Sequence, residues 1–279
     1  MIEALAAITK LVLYAGAFAS AGAALAASSL RTPLGDLANR APVIIRICAV
    51  ATIMASAASA MILMMRLGGA FDPAIMAIIA ETPPGLAIAL QMGGAILMLF
   101  TAGLRGASSV LPLGGAAAVL ASFAVNGHAA SVDLLSAVIA FLHVAAAAWW
   151  LGALLFLHPA CTALSGQTLA DLVGAFSRQA LAIVTNLMVA GVLLVLTLVD
   201  FSHDPWFSAY AQTLSMKIAF AAVVLGLAAH NRFRLTPRLT DADGTAVRAL
   251  RRSIAVEVTL IFGVLAVTAY LTTFTSPHA

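Results

Sequence analysis

Apolar runs long enough to cross a bilayer recur along the whole chain, and short polar segments separate them. A helix needs about 20 residues to cross the hydrocarbon core, and the runs lack the regular alternation of membrane β-barrel strands. We therefore predict an all-α polytopic membrane helix bundle with eight transmembrane helices. The predicted spans are residues 4–27, 42–65, 85–104, 109–125, 132–164, 178–199, 208–230 and 252–274.

The polar segments suggest how these spans are grouped. Pro33 and Gly35 break the chain after the first span, and the semi-polar connection 66–84 has room for a short interfacial helix. We interpret the chain as one integrated membrane domain with two four-helix halves, residues 1–126 and 127–279.

Composition agrees with membrane insertion and excludes several classes of protein. Hydrophobic residues make up 63% of the 279 residues and charged residues 9%, with a mean hydropathy of +1.07, whereas soluble domains have about 25% charged residues. The net charge of +3 does not indicate a nucleic-acid-binding protein, because the arginines lie mostly in connecting segments. The two cysteines imply no disulfide framework. No P-loop, paired carboxylates or Ser-His-Asp spacing is present, so we expect no enzymatic activity.

The basic residues predict the orientation of the chain. Most of the 14 lysines and arginines fall in segments on one side of the predicted bundle, above all in the connection before the last span. Basic loops remain in the cytoplasm. We therefore expect both termini to lie away from the cytoplasm, which in a bacterial inner membrane is the periplasmic side.

The stretch from Asn126 to Cys161 is the most informative, because it places a histidine deep inside an apolar span. At about 1.5 Å per residue, His143 lies near the bilayer midplane. Ionisable groups at this depth are expensive and mark ion paths or ligand sites. A buried hydrogen bond that organises the core is the alternative role for His143.

Further candidate ligands lie toward the predicted outer side. Soft sulfur selects Cu(I), and imidazole suits copper and zinc, so histidines and methionines together indicate copper. The alternative to metal binding is that the outer histidines are solvated loop residues and the methionines are lipid-facing or core residues. The outer candidates are His128, His203, His278 and the methionine face Met61, Met64 and Met65, which share one side of a helix.

Two charged residues lie within the last two spans. Lys217 lies within the predicted seventh span and Glu257 within the eighth, and each needs a partner or water at membrane depth. We assign them to gating or to holding the two helices in register. The run 231–234 is interpreted as a basic loop that contacts anionic headgroups.

Four stretches together resemble the copper-resistance protein D (CopD) family. They are NGHAA at 126–130, LHVAAAAWWLGALL at 142–155, YAQTLSMKIAFAAVVLGLAAHNRFRLTPRL at 210–239 and ALRRSIAVEVTLIFGVLAVTAYLTTFTSP at 249–277. The family features within them are Gly127-His128, Leu142-His143 with Trp150-Leu151-Gly152, Lys217, Asn231-Arg232 with Pro237, and Glu257. The first four spans agree with the family in number and character.

The resemblance implies copper handling in the inner membrane, as uptake alongside a periplasmic copper-binding partner. We therefore predict copper transport with His128 and His143 as the leading ligands, and gating or register roles for Trp150, Lys217, Asn231, Arg232 and Glu257. Two alternatives remain open. One is a b-type haem electron-transfer protein in which His143 is an axial ligand; the other is a membrane docking partner for a periplasmic copper chaperone.

Overall fold

The computed structural model describes residues 2–68, 72–104, 106–126, 133–198, 208–239 and 244–274, and all regular structure within them is helical. Eight of these helices are long and apolar enough to cross a membrane, which confirms the predicted fold class. They are α1 (Ile2–Ser29), α2 (Ala41–Arg66), α3 (Pro83–Thr101), α4 (Leu111–Val125), α5 (Leu134–Ala163), α6 (Gly166–Leu198), α7 (Ala209–His230) and α8 (Thr245–Phe274).

Short helical segments join several spans. Helix Arg31–Leu34 and a 3-10 turn, Gly35–Arg40, connect α1 to α2. The connection 66–84 contains the short helix that its composition suggested, Pro73–Ala80. The Asp72 side chain caps this helix by accepting a hydrogen bond from Ala74 N, which satisfies one of the free amides of the first turn.

Two predicted helix starts are wrong, because α6 begins at Gly166 instead of residue 178 and α8 at Thr245 instead of residue 252. The start of α6 has a polar composition, which led to the prediction of a loop. However, Leu169, Leu172 and Val173 recur at helical spacing and are fully or almost fully buried. The helical periodicity of these apolar residues is thus a better guide than the polar composition, because the face that they form packs into the core.

The end of α7 also differs from the prediction. The run 231–234 is not a loop: a π-helical turn, Asn231–Leu235, and a 3-10 turn, Thr236–Arg238, continue the helix. Single π turns within helices often occur at functional sites. The turn brings Asn231 into the protein interior, where it is 8% exposed.

Helix α1 lies at the centre of the bundle and contacts α2, α4, α5 and α8. Its closest approach is to α5, where the two backbones touch at Gly22 and Gly152. A Cβ atom on Gly22 would lie 1.9 Å from the carbonyl oxygen of Ala148. Small residues allow such backbone contact between membrane helices. Gly152 is therefore required for packing, whatever its place in the Trp150-Leu151-Gly152 motif.

The remaining helices are arranged around this pair. Helix α3 packs on α2 and α4, α6 packs on α5, and α8 packs on α1 and α5. Helix α7 packs on α8. Lys10 of α1 donates to the carbonyl of Thr272 in α8 at 2.6 Å, which links the two helices near their non-basic ends. The candidate groups His143, Lys217 and Glu257 lie on α5, α7 and α8, whereas the methionine face lies on α2.

Candidate functional site

His143 of α5 is held by the neighbouring helix α6. Its Nδ1 atom lies 3.1 Å from the carbonyl oxygen of Leu187. A carbonyl only accepts, so this hydrogen bond places the proton on Nδ1. In the neutral ring, Nε2 then keeps its lone pair and is the nitrogen available to a metal ion. Histidine ligands are commonly oriented in this way by a backbone carbonyl.

The contact is reciprocal along the two helices. Asn186, next to Leu187, donates from Nδ2 to the carbonyl of Leu142 at 3.2 Å. Gly191 leaves room for the imidazole, because a Cβ atom there would lie 3.2 Å from Cε1 of His143. We call His143, Asn186 and Gly191 with these two carbonyls the His143 clamp. The clamp fixes both the position and the tautomer of the ring.

Lys217 of α7 is a charged group that acts electrostatically on this ring. Its side chain is partly buried. In the part of the chain that the structure describes, its ammonium makes no hydrogen bond or ion pair.

A second polar group, the Glu257 cluster, consists of Glu257, Asn231 and Trp150. Glu257 is 2% exposed, and Asn231 Nδ2 donates to its Oε1 atom. Trp150 also interacts with the carboxylate, although its indole N–H makes no hydrogen bond of normal geometry with the described residues. The Oδ1 atom of Asn231 likewise has no partner among them. Glu257 thus pairs with Asn231, and Lys217 is not its partner.

A small cavity of about 40 Å³ adjoins this cluster. Arg232 lines it and donates to the carbonyl and, at 2.7 Å, to the hydroxyl of Ser177 in α6. A water needs about 10–15 Å³, so the cavity has room for water beside Glu257 and Asn231. The prediction that Asn231 and Arg232 contact headgroups is therefore wrong, because both side chains turn inward. Phe233 and Arg234 are the exposed members of that run.

The three residues of the methionine face differ in exposure in the folded protein. Met64 is 9% exposed and packs in the core, whereas Met61 and Met65 are 40% and 51% exposed. The helix places them as neighbours, but only two of the three thioethers remain on the surface. Close by, Arg66 pairs with Glu3 of α1 at 2.6 Å.

The described residues contain no group of three or more His, Cys, Asp or Glu side chains that could hold a metal ion. His128, His203 and His278 lie outside the described residues. Cys48 and Cys161 are free thiols, one half-buried and one buried. The haem alternative gains no support from these residues. Among the predicted histidine ligands, His143 is the one that lies within the described residues.

Sequence reasoning missed the contribution of α6. Asn186 was an available signal, because an amide within an apolar span requires a partner at membrane depth. Leu187 gave no signal, since any residue can present a carbonyl. The position of Gly191 four residues after Leu187 becomes meaningful only when α5 lies against α6.

Two family models match the chain. "Copper resistance protein D" matches residues 170–271, which include α7 and most of α6 and α8. "Copper resistance protein D-like, N-terminal domain" matches residues 1–133, which extends the likeness to α1–α4. Helix α5, with His143 and Trp150, lies between the two matched stretches. Searches of curated proteins and of solved structures gave no match.

Proposed function

The chain belongs to the copper resistance protein D family, and we propose that it carries copper across the bacterial inner membrane by a path that passes His143. Membership supports a role in copper resistance, and the eight apolar helices make the chain a multi-pass membrane protein. The direction we propose is uptake toward the cytoplasm, with no catalytic step. The outer histidines His128, His203 and His278 would capture copper from a periplasmic copper-binding protein.

One observation carries this proposal: the Leu187 carbonyl holds Nδ1 of His143 and leaves Nε2 free in the neutral ring. Imidazole nitrogen suits copper. An ion path requires sites that bind well enough to admit the ion and weakly enough to release it. A single imidazole that is fixed by its neighbour and keeps the lone pair of Nε2 would offer one ligand to a copper ion, and one ligand alone binds weakly enough to release it.

Lys217 and the Glu257 cluster would act as the gate of this path. The ammonium of Lys217 lies within electrostatic range of His143, so its charge would raise the barrier to a copper ion there. Glu257 lies toward the end of the bundle that carries most arginines and is joined to α7 through Asn231. Movement of α7 relative to α8 would therefore change both groups together.

Copper accumulation in cells provides the test. We expect His143→Ala to lower the initial rate of copper uptake at least tenfold, with normal amounts of protein in the membrane. His230→Ala is the matched control, because this histidine lies on α7 at its exposed, basic end. Uptake by His143→Ala at the wild-type rate would contradict the proposal.

Metal analysis and an absorption spectrum of the purified proteins separate the alternatives. Copper that is bound by the wild type and lost in His143→Ala supports the path. A Soret band that disappears with His143 would instead identify an axial haem ligand.

A further inference from the structure

A basic pocket lies between α5 and α8, away from the His143 clamp and the Glu257 cluster. Its volume is about 270 Å³, and it opens to the surface. The residues that line it are His158 of α5 and Arg248, Arg251, Arg252 and Ala255 of α8. Four positive or protonatable side chains and one small residue thus surround a single recess.

Helical spacing creates this arrangement. Arg248, Arg252 and Ala255 follow one another at intervals of four and three residues, so they share one face of α8. The three arginines are exposed. Within the described ranges the only ion pair is Arg66–Glu3, so no described carboxylate neutralises the pocket. Guanidinium groups bind phosphate oxygens in pairs and are the preferred side chains for phosphate recognition.

The pocket lies at the boundary between polar and apolar surface. Beyond the arginines, the exposed surface of α8 becomes apolar, with Val256 48% exposed and Phe262 37% exposed. A phosphate in the pocket would therefore have an apolar helix surface beside it, along which an acyl chain can extend. Basic pockets between transmembrane helices on the cytoplasmic side bind anionic lipid headgroups.

We propose that this pocket binds the headgroup phosphate of an anionic glycerophospholipid. The exposed apolar side chains of Val256 and Phe262 near the arginines favour a lipid over free phosphate, which would gain nothing from them. The opposite face of the same turns carries Ile254 and Glu257, each 2% exposed. A bound lipid would thus fix the part of α8 that presents Glu257 to the interior.

Native mass spectrometry of the full chain in detergent tests the site, with phosphatidylglycerol as the probe and phosphatidylcholine as the neutral reference. We expect the wild type to retain phosphatidylglycerol and Arg251→Gln/Arg252→Gln to bind it roughly tenfold more weakly. Arg234→Gln/Arg238→Gln is the matched control, because it removes the same charge from exposed positions outside the pocket. The control should change the affinity less than about twofold.

A steric variant keeps the test valid if the double variant fails to fold. Ala255→Trp keeps every charge and fills the recess from an exposed position, so it should lose phosphatidylglycerol as the arginine variant does. Equal losses in the control variant would show a diffuse basic field and overturn the pocket. Inorganic phosphate that competes at the same concentration as phosphatidylglycerol, at constant ionic strength, would overturn the lipid assignment.

Discussion

The two sides of the bundle differ in how tightly their helices are packed. In the most apolar stretch of α1, 61% of residues are buried, and in α5 the fraction is 50%. The corresponding fractions are 6% in α6 and 11% in α7. Helices α1 and α5 meet backbone to backbone at Gly22 and Gly152, whereas α7 depends on α8 for its packing.

The candidate chemistry follows the looser side. His143 belongs to α5 but faces α6, Lys217 lies on α7, and Glu257 on α8 is hydrogen-bonded to Asn231. Helices with few packing contacts can move at lower free-energy cost than those in a close-packed core. We interpret α1 and α5, with the helices packed on α1, as a rigid frame, and we propose that α6 and α7, joined to α8, carry and gate the copper path. The two family models cover residues 1–133 and 170–271, so α5 lies between the two matched stretches.

The largest effect is expected from a test that adds one methyl group, by a glycine-to-alanine substitution, to a helix on each side of the bundle. Gly22→Ala places a Cβ atom 1.9 Å from the carbonyl oxygen of Ala148, which forces α1 and α5 apart. Overpacking of this kind costs about 1–3 kcal/mol and occasionally more, and we expect the upper end because backbone atoms cannot rotate away. Thermal unfolding of the detergent-solubilised protein, followed by size-exclusion chromatography, measures the loss.

The matched change in the looser side is Gly226→Ala in α7, where a Cβ atom would meet nothing within 4 Å. Alanine is favoured over glycine within a helix by about 0.5–1 kcal/mol, so this variant should be equal to or more stable than the wild type. Similar destabilisation in both variants would remove the distinction between frame and mobile side.

The second prediction concerns Glu257 and whether its role is structural or functional. Glu257→Ala leaves the buried amide of Asn231 without its acceptor, which costs about 1–3 kcal/mol. Glu257→Gln keeps an acceptor oxygen and the side-chain size, so its unfolding temperature should stay close to that of the wild type. If the carboxylate gates copper, Glu257→Gln nevertheless loses uptake several-fold.

Uptake and thermal stability are therefore measured on the same two variants. Normal uptake by Glu257→Gln would show that the charge is not needed and that the Glu257 cluster only joins α7 to α8.

The contrast between the two sides also shows what the sequence could predict. Hydropathy set the number of spans, because each span must be apolar over a fixed length. The motif residues His143, Lys217 and Glu257 were found from their charge at membrane depth. The partners of His143 and Glu257 were not found, since the Leu187 carbonyl and the burial of Asn231 depend on how α5 meets α6 and how α7 meets α8. Tertiary contacts of this kind leave no periodicity in a single sequence.

The third prediction tests the His143 clamp. Asn186→Ala removes the hydrogen bond to the carbonyl of Leu142, which is worth about 1 kcal/mol, and leaves the imidazole less restrained. We expect copper uptake to fall about two- to fivefold, which corresponds to about 0.4–1 kcal/mol by the relation between free energy and rate. Asn186→Ala combined with His143→Ala should be no worse than His143→Ala alone.

Thr185→Ala is the matched control, since among the described residues the Thr185 hydroxyl donates only to the carbonyl of Leu181 within α6. Additive losses in the double variant would separate Asn186 from His143 and show that the clamp does not act through the imidazole.

The smallest change in stability is expected from removing the ion pair between Arg66 and Glu3, which lies on the tightly packed side of the bundle. Arg66 and Glu3 join α2 to α1 at 2.6 Å, and their side chains are 39% and 49% exposed. An exposed pair contributes about 0.2–1 kcal/mol at most, and salt screens it. Glu3→Gln should therefore shift the unfolding temperature only slightly, and by less in high salt. Gly22→Ala removes no charge, and Glu3→Gln removes no packing. The ratio of their changes in unfolding temperature therefore compares the contributions of helix packing and of the ion pair to the stability of the frame. A large loss in Glu3→Gln would mean that electrostatics at the membrane surface, and not the helix crossing at Gly22, stabilises α1 in the bundle.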